Sequence, residues 1–530
     1  MKKRILTLVL AVLFIIGAAS CGQTAQREPS APAVSASMNA TGYPVVNEKI
    51  TVTSIVSRVN AQTSNGQPRL IWQVLEDVTN VHVDFTVLSD EAQLPVFLAA
   101  GEWPDFFNDD LTQSYVNEYG IQGGMFVDYN SLMDFMPNLE KMFNEQPQTK
   151  KGKTEINGAI YQLPYYYDVV TATESRNYYR ADILEKYNLP VPTTVDELYD
   201  VCKKLLDITG EPPFSGDWIP EFYYPSFGPG CWLGFDDEKG DGKVVWGRMT
   251  DQYKYYLTYI NKLYTEGLIH REYLTMDTAT LLALAQEGKS VFTGHAMGNV
   301  TLAAFPSGKF DIGVMPPLKS EYDDTQVIWT GPPPWGGGRG KAINTKSKYA
   351  AEIARMLDVA FATEEVLPGT GLYGSAFTWG QEGVGWEFTN AEKTSHRQII
   401  PEEYGNMTYL TYQGEYVIYQ NFGYDIALRR SIVNDGSNSE ARQIGFRDHN
   451  LPYERGWQFP PVKFNEEEQA VLDSYMVEIN NYVNEMMSKF ITGIADIDAE
   501  WDTYIATLEK MGAAEVLAVY QAAYDRWNAL

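Results

Sequence analysis

Cysteine and histidine are scarce in this chain, and their scarcity excludes several classes of protein. Only 3 cysteines and 5 histidines occur among 530 residues. Three cysteines cannot form the framework of a disulfide-stapled domain. No two histidines stand four residues apart, which is the spacing of a zinc-binding helix. We therefore expect no structural zinc, and a fold that depends on hydrophobic cores.

Positive charge is also in short supply. The chain has 41 basic against 69 acidic residues and a formal net charge of −28. Nucleic-acid binding needs clustered cations against phosphate, so it is excluded as a general function. Broad electrostatic docking on anionic lipid is disfavoured for the same reason.

Sequence motifs of catalysis are missing as well. The chain has no G-x-S-x-G nucleophile elbow, no Walker A loop and no G-x-G-x-x-G dinucleotide fingerprint. A glycoside hydrolase needs only two suitably spaced carboxylates, and 69 acidic residues leave that alternative open. We expect no cofactor, and keep a carbohydrate-active enzyme as a less favoured alternative.

The first 21 residues have the pattern of an export signal. Three basic residues follow Met1, and an apolar run extends from Ile5 to Ile16, too short to span a bilayer. The small residues at positions 17–20 precede Cys21 and resemble the lipobox of bacterial lipoproteins, which implies acyl chains on Cys21. The alternative is an ordinary signal peptide with an incidental cysteine.

Residues 22–45 are expected to be a flexible spacer. The segment is rich in Ser, Ala, Pro and Thr and has no apolar periodicity, so it cannot bury enough surface to fold alone. The roughly 490 residues that follow exceed the size at which one core stops growing, which predicts at least two lobes.

Helix and strand patterns alternate along the rest of the chain. Val81 to Val87 alternates apolar and polar residues, as half-buried strands do. Thr194 begins a capping box that predicts a helix carrying Cys202 on its apolar stripe. Further helices are predicted from Thr250 to Gly267, after Ser347 and at the C-terminus. This mixture favours an α/β architecture.

Six short motifs, in order, resemble those of bacterial extracellular solute-binding protein family 1, particularly the LipO-type lipoproteins. They are Leu98–Asp105 (AAG-x-x-PD), Asn157–Pro164 (G-x-x-Y-x-L-P), Tyr179–Leu198, Leu263–Ile269 (LY-x-EGLI), Gly380–Trp386, and the C-terminal stretch from Phe490 to Arg526. Each motif alone is weak, but together they cover nearly all of the exported chain.

The resemblance implies a two-lobed periplasmic-binding-protein type II fold, with lobes linked by a hinge and a ligand cleft between them. The first crossing between lobes would be Ile160 to Tyr165, and the second Ile312 to Pro317. The implied organisation assigns 46–162 and 315–400 to lobe 1, and 163–314 and 401–530, with a helical C-terminus, to lobe 2.

The candidate ligand-binding residues are aromatic side chains, which can stack on sugar rings, and polar groups that can pair with hydroxyls. They lie in the motifs, after the predicted crossings and in Gly/Pro-rich loops: Trp103, Asp105, Tyr165, Tyr166, Asp168, Trp218, Trp232, Trp329, Trp335, Arg339 and Trp379. For each aromatic residue, packing within a loop is an equally good interpretation.

A calcium loop, which some related oligosaccharide-binding proteins have, is not expected. The segment Asp237 to Lys243 superficially matches the start of an EF-hand loop, but Lys239 and Arg248 occupy positions 3 and 12, where calcium needs oxygen ligands. We predict no metal site.

The resemblance implies a monomeric, lipid-anchored receptor on the extracytoplasmic face of the cell membrane. It would capture an oligosaccharide and deliver it to the permease subunits of an ABC transporter. A peptide-binding receptor and a sensory ectodomain on the same fold remain alternatives.

Replacing Cys21 with Ala should release the protein from the membrane into the medium or the soluble envelope fraction, because two acyl chains are needed for stable anchoring. Cell fractionation would show the release, and mass spectrometry of the wild-type N-terminus should find acylated Cys21. An unmodified Cys21, with cleavage elsewhere, would contradict the prediction.

Overall fold

The computed structural model describes residues 37–57, 69–101, 103–108, 111–167, 178–214, 224–227, 234–237, 240–293, 311–322, 326, 337, 340–405, 409–416, 423–425, 430–453 and 459–530. The expected lipidation site, Cys21, and six of the candidate ligand-binding residues lie outside these ranges: Asp168, Trp218, Trp232, Trp329, Trp335 and Arg339. Within the described ranges, no helix combines the length and apolar character needed to cross a membrane.

The described strands are short apart from the first two. They are β1 Ile50–Ser57, β2 Val81–Leu88, β3 Phe106–Phe107, β4 Tyr165–Tyr167, β5 Tyr178–Arg180, β6 Phe235–Asp236, β7 Val245–Trp246, β8 Phe292–Thr293, β9 Ile312–Val314, β10 Trp386–Phe388, β11 Ser395–Gln398, β12 Gly423–Asp425 and β13 Ile432–Val433.

The helices supply most of the packing surface. They are α1 Leu70–Thr79, α2 Leu94–Ala100, α3 Gln113–Tyr115 (continued by the π-helical Val116–Gln122), α4 Pro137–Glu145, α5 Pro147–Lys153, α6 Ala181–Lys186, α7 Val195–Thr209, α8 Asp251–Thr265, α9 Thr278–Gln286, α10 Ala350–Leu357, α11 Ala376–Trp379, α12 Tyr409–Tyr416, α13 Asn438–His449, α14 Glu466–Thr492, α15 Ile497–Lys510 and α16 Ala513–Ala529.

The first lobe is built on a parallel sheet of order β2-β1-β3. β1 and β2 are in register from Ile50 opposite Val81 to Ser57 opposite Leu88. The alternation predicted for β2 is confirmed, because its even-numbered positions from His82 to Thr86 are exposed. The core beneath this sheet joins residues far apart in the chain, including Val52, Leu75, Phe106, Ile160, Ile353, Phe377 and Tyr424.

The second lobe has a small sheet of order β8-β5-β9 and a helical core. Its core includes Cys202, Tyr256, Leu263, Phe292, Met315, Ile479, Trp501 and Val516. Cys202 is fully buried, as its helical stripe predicts, and burial raises the pKa of its thiol. Cys231, the other cysteine of the exported chain, with which the sequence leaves a disulfide to Cys202 open, lies outside the described ranges.

Local capping signals determine the ends of the predicted helices. The Thr194 hydroxyl accepts the Glu197 N–H at the start of α7, while the Glu197 carboxylate accepts the N–H and hydroxyl of Thr193. Beyond α8, Gly267 has a positive φ of 76°, where glycine is favoured. Arg180, just before α6, donates two hydrogen bonds to the Asp182 carboxylate, at 2.8 and 2.6 Å.

The contacts of residues 315–343 are divided between the two lobes. Met315 and Leu318 belong to the second core, and Lys319 pairs with Thr194 of that lobe. The chain pairs with the first lobe at Gly340, whose carbonyl accepts the Leu163 N–H, and at Ile343. The second crossing, expected at Ile312 to Pro317, stays a prediction.

The helical C-terminus belongs to the second lobe. The helices α14 and α15 pack on α8, and α16 packs on α14 and α15. Ile479, Tyr504 and Val516 lie in the core that these helices share. Within residues 401–530, which the resemblance assigns to lobe 2, Tyr424 of β12 packs in the first core. The chain returns to the second lobe at α13, which packs on β9.

One buried carboxyl group makes the stability of the first lobe depend on pH. Asp358 is fully buried and accepts the backbone N–H groups of Asn138 and Leu139 at the start of α4, at 3.1 and 2.8 Å. Burial raises the pKa of Asp358 from 3.8 to about 7, against the effect of these hydrogen bonds. The native state therefore binds more protons than the unfolded state between these values, and stability falls as pH rises through 7.

Between pH 5 and pH 8, the wild type should lose about 2–3 kcal/mol of stability relative to Asp358→Asn, which has no proton to release. Denaturant unfolding of both proteins at the two pH values measures this difference. Asp502→Asn, at an exposed position of α15, is the control and should track the wild type. An equal pH dependence in all three proteins would contradict the prediction.

Candidate functional site

The crossing strand β4 lies between two other segments of the chain. Its Tyr165 exchanges two backbone hydrogen bonds with Gly337, of 2.9 and 2.7 Å. On its other side β4 pairs in parallel with β12, Tyr165 opposite Gly423 and Tyr167 opposite Asp425. Three distant parts of the sequence therefore meet at the first crossing.

The side chains of β4 alternate between two surroundings, as in any strand. Tyr165 and Tyr167 share one face, with ring centroids 5.1 Å apart. Tyr166 lies on the other face, where its ring contacts Tyr424 at 5.6 Å and packs on the first core. Tyr167 packs with Phe446 of α13, and so links the crossing to the second lobe.

A buried carboxylate orders the aromatic side chains beside the crossing. Asp425 is fully buried, and its Oδ1 accepts the Ser375 hydroxyl at 2.7 Å. Its Oδ2 accepts the indole N–H of Trp379 at 2.9 Å and the hydroxyl of Tyr165 at 3.3 Å. We call Tyr165, Ser375, Trp379 and Asp425 the Asp425 cluster.

The Asp425 cluster is held by close backbone packing. A Cβ at Gly374 would lie 1.8 Å from the Tyr424 carbonyl oxygen, so only glycine lets the chain before α11 approach β12. The Tyr409 hydroxyl donates to the carbonyl of Trp379 at 2.8 Å, and burial raises the pKa of this tyrosine. The ring of Trp379 remains half-buried, as does that of Tyr165.

Trp103 and Asp105 lie in another part of the first lobe. The Trp103 indole donates to the Leu98 carbonyl at 2.9 Å and makes an edge contact with Phe107. The Asp105 carboxylate accepts the N–H and hydroxyl of Thr53, at 2.8 and 2.9 Å, and the Ser347 hydroxyl at 2.7 Å. These side chains line a small cavity of about 160 Å³.

The acidic loop that resembles an EF-hand uses its oxygens internally. The Asp237 carboxylate accepts the backbone N–H groups of Asp241 and Gly242, at 3.0 and 2.9 Å. It also accepts the Tyr524 hydroxyl at 3.0 Å, which ties the loop to α16. In the described part of the chain, no group of three His, Cys, Asp or Glu side chains has the geometry of a metal site.

The structure thus brings Tyr165 and Trp379 together beside the crossing, with Tyr166 on the opposite face of the same strand. Trp103 and Asp105 line a separate cavity. Sequence analysis missed Asp425 and Ser375. Neither residue stands in a recognisable motif. The sequence around Asp425 has no apolar periodicity that would indicate a buried carboxylate.

Two α/β lobes, each with its own core and joined by paired crossing segments, define the class of hinged, two-lobed binding proteins. Residues 68–366 match the family described as bacterial extracellular solute-binding protein. The chain belongs to this family, which confirms the fold class and the family inferred from the motifs. Its location is accordingly extracytoplasmic.

Curated relatives span nearly the whole chain. It is 25% identical over 516 residues to the fructooligosaccharide ABC transporter substrate-binding protein FusA of Streptococcus pneumoniae, covering 91% of this chain and 92% of FusA. It is 22% identical over 479 residues to lipoprotein LipO of Bacillus subtilis, covering 84% and 86%. One of these relatives is named as a substrate-binding protein and the other as a lipoprotein.

Solved structures share the fold. FusA in complex with kestose superposes with a TM-score of 0.67 at 22% identity, covering 91% of this chain and 100% of that one. An extracellular solute-binding protein from Bifidobacterium longum subsp. infantis gives a TM-score of 0.68 at 20% identity, covering 90% and 98%.

Asp425→Asn should lower the free energy of unfolding by about 1–3 kcal/mol, because an amide cannot accept from all three donors and its own N–H₂ group would face one of them. Denaturant unfolding measures the loss. In combination with Trp379→Phe, which removes the indole donor, the two effects should be less than additive. Full additivity would mean that the Trp379–Asp425 hydrogen bond contributes nothing.

Proposed function

We propose that this protein is an extracytoplasmic receptor that captures an oligosaccharide and delivers it to the permease subunits of an ABC transporter. The relationship to a fructooligosaccharide-binding protein over nine-tenths of both chains is the observation that carries the proposal. A second relative, covering 58% of this chain, is a polygalacturonan/rhamnogalacturonan-binding protein of Bacillus subtilis.

The Asp425 cluster has the chemistry that a sugar site needs. Sugar rings present flat C–H faces that stack on aromatic rings, and hydroxyls that require hydrogen-bonding partners once they are buried. Trp379 and Tyr165 are half-buried aromatics whose polar atoms are fixed by Asp425, so little side-chain entropy would be lost on binding. We assign stacking to Trp379 and a hydroxyl contact to Tyr165.

The other predicted ligand residues complete the proposal. Trp329, Trp335 and Arg339 flank Gly337, which pairs with Tyr165, so they are close in sequence to the proposed site. Trp218 and Trp232 are proposed as ligand contacts because they lie in Gly/Pro-rich loops. Asp168 is proposed because it follows the first crossing. An oligosaccharide, rather than one sugar, would engage aromatic residues from several segments.

The membrane association is proposed to run through lipid on Cys21, with residues 22–45 as the tether. The lipobox-like residues before Cys21 and the relationship to lipoprotein LipO support this. The receptor is proposed to act as a monomer, without metal or cofactor.

Trp379→Ala should weaken affinity for the cognate sugar by about 1–3 kcal/mol, because a stacked indole would be lost. A thermal-shift screen over mono- and oligosaccharides identifies the sugar, since ligand at 100 times its dissociation constant adds about 2.7 kcal/mol of stability. Calorimetry then compares the wild type with Trp379→Ala and the milder Tyr165→Phe.

Tyr475→Phe is the matched control for Tyr165→Phe, because Tyr475 lies on α14 beside Gly512, within the C-terminal helices. It should bind sugar as the wild type does. Wild-type affinity in both site variants would remove the Asp425 cluster from the site. If a peptide proves to be the strongest binder, the proposed function changes from sugar receptor to peptide receptor. If incubation with oligosaccharides produces new reducing ends, the protein is an enzyme.

A further inference from the structure

The two lobes touch directly at a contact separate from the crossing strands. On the first-lobe side are Gln113 of α3 and Glu155, which follows α5. On the second-lobe side is Lys463, between Val462 and Phe464, which pack on the second core. We call Gln113, Glu155 and Lys463 the interlobe triad.

The interlobe triad is a closed set of charge-assisted hydrogen bonds. Lys463 Nζ lies 3.0 Å from Glu155 Oε1 and 2.6 Å from Gln113 Oε1. Gln113 Nε2 donates to Glu155 Oε2 at 2.8 Å, so both carboxylate oxygens have donors. The Glu155 side chain is only 4% exposed and that of Lys463 19%. Losing one partner of such a pair leaves the other charge buried and uncompensated.

The second lobe holds Lys463 in place from behind. The Lys463 carbonyl accepts a hydrogen bond from Arg526 of α16 at 2.8 Å. Arg526 in turn donates to both oxygens of Glu468 at the start of α14, at 2.7 and 2.6 Å. The backbone at Lys463 is therefore fixed to the start of α14 and to α16 through Arg526.

Two further contacts join the same parts of the lobes. Lys151 of α5 lies over the ring of Trp527, with 4.9 Å from Nζ to the centroid, a cation–π geometry. Gln122 donates to Glu466 of α14. Beside them is a cavity of about 470 Å³, lined from both lobes by residues including Ile156 and Phe464. Polar contacts beside open space can separate and reform, whereas a continuous apolar interface would resist separation.

We propose that the interlobe triad is a fastening that holds the lobes in the orientation of this structure and must open or slide when they rotate. The contact shifts the equilibrium between the two orientations of the lobes. A ligand that binds one orientation more tightly than the other therefore has an affinity that depends on this contact. This last consequence rests on the proposed function, whereas the effect on lobe orientation does not.

Small-angle scattering of the ligand-free protein tests the fastening. Glu155→Gln and Lys463→Gln each remove one charge of the pair and should change the radius of gyration relative to the wild type. The double variant should show the same change as either single variant, because the two residues act through one contact. Circular dichroism and thermal unfolding establish that each variant is folded.

Glu485→Gln is the matched control. It removes the same charge from an exposed pair with Lys489 within α14, and its scattering should superpose on that of the wild type. Scattering from folded Glu155→Gln and Lys463→Gln that also superposes on the wild type would overturn the proposal.

The same variants then test the link to binding. The dissociation constant for the sugar found by screening should change about five-fold or more in Glu155→Gln and stay unchanged in Glu485→Gln. Weaker binding would mean that the sugar prefers the orientation seen here, and tighter binding that it prefers the other; either result supports the fastening. If no sugar binds, the proposed function fails, while the scattering experiment still decides the proposal.

Discussion

The pairing of a three-residue strand with two distant segments is the constraint on which the rest of the molecule depends. Tyr165–Tyr167 is bonded to Gly337 on one side and to Gly423–Asp425 on the other. The core of the first lobe is built from residues between Val45 and Tyr424. The strand therefore fixes where the chain can leave that lobe. The position of the aromatic side chains beside the crossing follows from it.

A buried carboxylate, Asp425, fixes the side chains that lie beside this backbone arrangement. Asp425 would be costly to bury without partners, and hydroxyl and indole donors satisfy it. The same hydrogen bonds restrict the rotamers of Trp379 and Tyr165. The stability of the first lobe and the pre-organisation of the proposed sugar site therefore depend on the same few atoms. A substitution of Trp379 or Tyr165 alters both properties.

Sequence reasoning recovered the elements that local signals specify. The alternation of β2, the cap at Thr194 and the stop at Gly267 each depend on neighbouring residues, and all are present. Ile312 to Pro317 has the apolar pattern of a buried strand, but periodicity cannot tell which sheet a strand joins, so the position of the second crossing stays a prediction. Asp425, Glu155 and Lys463 could not be found, because their roles come from contacts across hundreds of residues.

The location of the C-terminal helices has a consequence for how the chain folds after export. The first core needs residues only as far as Tyr424, whereas the second needs Val516 and Tyr524, close to the last residue. If the chain emerges from its N-terminus, the first lobe can close while about a hundred residues are still to come, and lobes generally fold as units in that order. The second lobe then exposes apolar surface until α14, α15 and α16 arrive, so it is open to aggregation and proteolysis for longer than the first lobe.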